Sequence, residues 1–118
     1  MNSVHIIGRM TKDPVLLKTK AGKDILRFII KTERRLPESA EILEDSPGQL
    51  NYIPCFATGE KASAIAANME KGHRIGISGH LQSYMRLDKT NAGHYEIEVF
   101  VDRYDFLTPR KPKIMVVP

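Results

Sequence analysis

Apolar and polar residues alternate along most of this chain, and a single segment breaks into a helical period. Residues 4–10 alternate with Gly8 inside the run; a glycine within a strand often marks a bulge or a tight barrel bend. Thr11-Lys12-Asp13-Pro14 is turn chemistry, with Pro14 presetting φ and Asp13 able to bond its neighbouring backbone. Extended structure restarts over 15–19, and residues 21–24, with Gly22, form a hairpin turn. Residues 25–33 are a long strand with Leu26, Phe28 and Ile30 on one side and Arg27, Ile29, Lys31 and Glu33 on the other. Residues 36–50, rich in Pro, Gly, Ser and acids, show no period and are read as a long loop. Residues 52–58 alternate again. Over 61–69, Ala62, Ile65, Ala66 and Met69 fall at i, i+3, i+4 and i+7, which predicts a helix, with Gly72 directly after it to end it in a left-handed position. Period two returns over 74–82 and continues to Leu87, a second hairpin loop spans 88–93, and 95–101 is the closing strand with Tyr95, Ile97, Val99 and Val101 on one face.

The predicted architecture is all-β with one helix between the third and fourth of five strands. A lone helix plugging a small barrel suggests a five-stranded oligonucleotide/oligosaccharide-binding (OB) fold, in which a ligand lies across the strands. Fold alone does not give function. At 118 residues the chain makes one core, expected over 1–107, with 108–118 as a short extended tail in which Pro109 and Pro112 oppose pairing. No apolar run approaches a membrane span and no secretory leader is visible, so a cytoplasmic protein is expected. The single cysteine, Cys55, excludes an internal disulfide and a cysteine zinc site, and reads as a small buried hydrophobe. The four histidines have no ligand spacing, and there is no P-loop, dinucleotide fingerprint, HExxH or nucleophile elbow. Neither enzyme activity nor a cofactor, metal or small-molecule substrate is expected.

Net charge is only +4, but its distribution is uneven. Residues 1–35 hold nine Lys/Arg against Asp13, Asp24 and Glu33, whereas 36–51 hold no base and Glu38, Glu41, Glu44 and Asp45. A basic N-terminal half favours a polyanion. Outward positions on the third strand are Tyr52, Pro54, Phe56 and Thr58 if Ile53, Cys55 and Ala57 face in. Those on the fourth are His80, Gln82, Tyr84 and Arg86 if Ile77, Leu81 and Met85 face in. With Arg27, Lys31, Arg34 and Arg35 they mix rings and cations, as single-stranded nucleic acid requires: bases stack on rings and cations follow phosphates. The expected binding set is Arg9, Lys18, Arg27, Lys31, Arg34, Arg35, Tyr52, Gln82, Tyr84, Arg86 and Lys89. Phe56 is read as an oligomer contact, and Glu96 and Glu98 as solvated charge or partners of Lys/Arg across the sheet.

Val4-His5-Ile6-Ile7-Gly8-Arg9-Met10-Thr11-Lys12-Asp13-Pro14 resembles the opening of bacterial single-stranded DNA-binding proteins. Ala62 to Gly72, Gly79-His80-Leu81-Gln82-Ser83, Gly93-His94-Tyr95-Glu96-Ile97-Glu98-Val99 and Phe106-Leu107 resemble that family's helix, following strand, final strand and end, in order, from Asn2 to Leu107. The resemblance implies an OB fold, a homotetramer more than a dimer, and sequence-independent binding of single-stranded DNA in replication, recombination and repair. Leu36, Tyr52 and Arg86 match tryptophan positions of the family and Thr58 a phenylalanine; only Tyr52 keeps a ring, with Tyr84 as a substitute. The acidic loop of 38–45 departs from the family. So does the basic-then-apolar ending Arg110 to Pro118, where the family carries an acidic tip that recruits replication enzymes. These departures suggest a phage, mobile-element or specialised member in a bacterial cytoplasm. The alternative function is a primosomal-type adapter acting through protein contacts; an OB-fold nuclease has no identifiable cluster here.

Overall fold

A computed structural model describes residues 1–33 and 50–109. In chain order they form β1 (Val4–Met10), β2 (Leu17–Lys18), β3 (Asp24–Glu33), β4 (Leu50–Thr58), α1 (Gly59–Asn68), β5 (Arg74–Leu87) and β6 (Gly93–Phe106). Five of the strands form a ring. β1 pairs with β5, β5 with β6, β6 with β4 in parallel, β4 with β3, and β3 returns to β1 at Arg9↔Lys31 and Met10↔Ile30. This is the five-stranded OB barrel with its single helix between β4 and β5; β2 adds two residue pairs on the free edge of β3. Closure brings two backbones close: a Cβ on Gly8 would stand 2.8 Å from the Lys31 carbonyl oxygen. Glycine is there for that approach.

The alternation seen in sequence becomes the core. Leu26, Phe28 and Ile30 from β3, Cys55 and Ala57 from β4, Ile75 and Ile77 from β5, and Val99 and Val101 from β6 are all buried. α1 closes one end with Ala62 and Ile65 fully buried and Met69 at 4 % exposure just beyond it. The helix does not end on Gly72. Met69 already has an extended backbone while its N–H still donates to the Ile65 carbonyl (3.0 Å). Gly72 (φ +87°) belongs to the next turn, where its N–H donates to the Met10 carbonyl at 2.8 Å. Asp13 likewise does not serve its own turn; it accepts from the Lys71 N–H (2.8 Å), tying the β1–β2 connection to this helix-to-strand turn.

The largest departure from the expected pattern lies in β5 and β6. Leu81 and Met85 do not face the core, being 46 % and 55 % exposed, and Tyr95 and Ile97 at the start of β6 are exposed too. The cause is the extent of pairing. β4 meets β6 only at Cys55↔Val99 and Phe56↔Phe100, so residues 81–98 of the β5–β6 hairpin run on as a two-stranded ribbon; Gln82, Tyr84 and Glu98 on one face still meet Arg27, while Leu81, Met85, Tyr95 and Ile97 on the other stay exposed. A bulge at Ser78/Gly79 marks the departure. The tip is held by Asp88, whose carboxylate accepts from the Thr90 hydroxyl (2.6 Å), the Thr90 and Ala92 N–H groups (2.8 and 3.0 Å) and, through its other oxygen, the His94 ring (2.7 Å).

Candidate nucleic-acid interface

Cross-strand register assembles one row that no single strand reveals. Arg74 on β5 stands opposite Arg9 on β1, Arg9 opposite Lys31 on β3, and Lys31 opposite Tyr52 on β4. Residues directly opposite share a sheet face, so three cations and one ring line up across four strands. Among the described residues no carboxylate lies within ion-pair distance of Arg9, Lys31 or Arg74. Arg9 is steered instead by donating from Nη1 to the Gly72 carbonyl at 2.9 Å. The cations flank a groove of about 650 Å³ whose lining includes Glu33 and Leu50, and Tyr52, opposite Lys31, is 60 % exposed. Like charges directly opposite one another destabilise a sheet. A row of three cations with no carboxylate at ion-pair distance, although Glu33 lines the same groove, is the arrangement of a surface that can meet an anion.

The second cluster lies four residues along the same faces of β3 and β4, at Arg27↔Phe56. The Arg27 guanidinium sits 4.3 Å from the Phe56 ring centre and 5.3 Å from that of Tyr84. Its Nε donates to Glu98 Oε2 (3.4 Å), and Gln82 Nε2 donates to Glu98 Oε1 (2.9 Å). Phe56 packs against Phe100, and His80 lies over Phe100 while bonded to Asp102 at 2.9 Å. Beside Arg27, Tyr84 and Glu98 opens a cavity of about 390 Å³, bounded by residues 11–15 and Pro54. That size suits a small planar ligand such as a nucleobase. Cys55 borders it but carries no chemistry: burial, reinforced by the Glu98 charge, pushes its thiol up to about 12. No cluster of His, Cys, Asp or Glu among the described residues could hold a metal ion.

Residues 1–107 match the model of the Single-strand binding protein family. The chain belongs to that family. It is 35 % identical over 108 residues to the single-stranded DNA-binding protein of Clostridium tetani, covering 91 % of this chain and 70 % of that one. It is 30 % identical over 115 residues to single-stranded DNA-binding protein 1 of Clostridium acetobutylicum, covering 97 % and 100 %. To single-stranded DNA-binding protein B of Bacillus subtilis it is 28 % identical over 109 residues, 92 % of each chain.

The residues expected to make up this family member's interface are placed unevenly. Arg9, Lys31 and Tyr52 share the first row, and Arg27, Gln82 and Tyr84 the second cluster. Arg86 sits on the ribbon paired with Glu96 (3.1 Å), Lys18 on β2 paired with Asp24 (3.4 Å), and Lys89 at the exposed hairpin tip. Arg34, Arg35, Leu36, the acidic stretch of 38–45 and the tail from Arg110 lie outside the described residues. Thr58 precedes α1 as its N-cap rather than presenting a platform. Phe56, read from sequence as an oligomer contact, is half-buried within its own chain between Arg27 and Phe100. Sequence reasoning missed Arg74, because its only signal is the register that sets it beside Arg9. Glu98, read from sequence as solvated charge or a cross-sheet partner of Lys/Arg, is not solvated: it is 3 % exposed and bonded to Arg27 and Gln82.

Proposed function

We propose that this chain binds single-stranded DNA without reading its sequence, with the Arg74–Arg9–Lys31–Tyr52 row as phosphate track and base platform. The observation that carries this reading is that row: three cations with no ion-pair partner among the described residues, in register with an exposed ring. Phosphates would follow the cations, and a base would stack on Tyr52. Tyr84 over the 390 Å³ cavity is the second platform. The chain acts by coating and protecting DNA in replication, recombination and repair, not by catalysis. The adapter reading has no feature of the described residues in its favour.

Residues 1–107 are the binding domain in this proposal, and the protein works in the cytoplasm of a bacterium or of a phage's host. Among the described residues no helix is long and apolar enough to cross a membrane. A homo-oligomer, a tetramer ahead of a dimer, is supported by the exposed apolar ribbon face of Leu81, Met85, Leu87, Tyr95 and Ile97 and by the edge of β1 left open where β3 pairs only its last two residues. Replication proteins are the expected protein partners.

The test is fluorescence anisotropy with labelled oligo-dT and a duplex control across a salt series. Saturable binding to the single strand, weaker on the duplex and falling with salt by about 0.7 log units per log unit of salt for each phosphate contacted, supports the reading. No binding at micromolar protein and low salt refutes it.

A further inference from the structure

The face assigned to DNA carries a carboxylate where a polyanion would lie. Glu98, at 3 % exposure, is the buried charged side chain of the described structure. Both oxygens are occupied, Oε2 by Arg27 Nε at 3.4 Å and Oε1 by Gln82 Nε2 at 2.9 Å. The Arg27 side chain is half exposed above it, bounded by the Phe56 and Tyr84 rings. A buried carboxylate persists only where a positive partner and hydrogen bonds compensate it. Arg27 is that partner, so its charge is spent inward before any phosphate arrives. Among the described residues its two Nη groups have no hydrogen-bond partner, and the Gln82 amide has its nitrogen fixed on Glu98.

We propose that Glu98 is a built-in counter-ion and positioning residue that withholds the Arg27 charge from bound DNA. Arg27 then serves the interface as a flat, ring-bounded surface and a neutral-pair hydrogen-bond donor. It does not displace a counter-ion from DNA as Arg9, Lys31 and Arg74 do. The cluster limits affinity and its salt dependence while keeping the stacking surface ordered. This inference rests on the single-stranded DNA reading above.

The experiment is the oligo-dT salt series on Glu98→Gln, Arg27→Gln and the double variant. Glu98→Gln keeps the side chain's size and one acceptor oxygen but removes the charge. Its log–log salt slope should steepen by about 0.7, so a fourfold dilution of salt tightens it about 2.6-fold more than the parent. Arg27→Gln alone strips Glu98 of its partner and should lower the thermal midpoint, whereas in the Glu98→Gln background it should abolish the added 0.7 or so and return the slope to the parent's. An unmoved slope in a folded Glu98→Gln protein overturns the proposal. So does a double variant whose slope is flatter than the parent's by about 0.7, and that arm decides alone if the single Glu98→Gln variant does not fold. A parent that binds no oligo-dT defeats the function and this inference together; a parent that binds while the variants fail these expectations defeats only the inference.

Discussion

Tyr52 and Cys55 lie three residues apart on one strand, and their opposite exposures give them opposite tests. Tyr52 presents its ring to solvent beside Lys31, so Tyr52→Ala should weaken oligo-dT binding by about 1–3 kcal/mol at every salt concentration, leaving the salt slope intact. Cys55 is 1 % exposed with its thiol pushed up to about 12, chiefly by burial, from an ordinary 9.0. Here the native state holds its proton longer than the unfolded state. The contribution is therefore full below pH 9 and is lost as pH rises toward 12, at up to about 1.4 kcal/mol per pH unit. Denaturant titrations from pH 8 to 11 should show that loss in the parent and less of it in Cys55→Ala. The same burial should keep the native thiol unreactive toward an alkylating reagent near neutral pH, with labelling appearing only on unfolding. Sequence alone placed Tyr52 outward and Cys55 inward because strand alternation is a local property. It could not place Arg74 or the burial of Glu98, because both depend on which strands meet and at what register.

At the scale of elements, period two and period 3.6 identified every principal strand and the helix. What they did not report is where support ends. A hairpin's alternation reads the same whether the strands sit on a core or project from it, which is why Leu81 and Met85 were expected inside. Projection begins at Gly79, where a Cβ would collide with the Phe100 carbonyl across the bulge. Gly79→Ala should thus cost about 3 kcal/mol or more in denaturant unfolding, as overpacking against backbone has no side chain to yield. The far end of the ribbon has a different control. Asp88 is held down to about 2, first by the Thr90 hydroxyl, then by His94 and the Thr90 and Ala92 amides. A depressed carboxylate stabilises the tip above its ordinary pKa near 4 and stops doing so as pH falls through about 2. Hydrogen exchange at the Thr90 and Ala92 amides, corrected for its intrinsic pH dependence, should show protection falling across that window, and Asp88→Ala should show little protection at any pH.

Across the whole molecule, the charges fall into two groups. Arg27, Arg86 and Lys18 each have a carboxylate, and the Arg74–Arg9–Lys31 row has none among the described residues. A basic N-terminal half, visible in sequence, does not distinguish these groups; only the folded pairing does. The unpaired row has a thermodynamic consequence in the absence of DNA. Neighbouring like charges repel, so the free protein carries a strain that a polyanion relieves. Arg9, in the middle, feels both neighbours. Arg9→Gln should therefore raise the thermal midpoint of the free protein at low salt, an effect that fades as salt screens the row. The same substitution should weaken oligo-dT binding and flatten its salt slope by about 0.7, and neutralising all three positions should flatten it by about 2. Stability and affinity moving in opposite directions is what a binding row predicts and a merely solvated charged face does not. If Arg9→Gln leaves both quantities where they were, the row is surface charge and the DNA path lies elsewhere on the barrel.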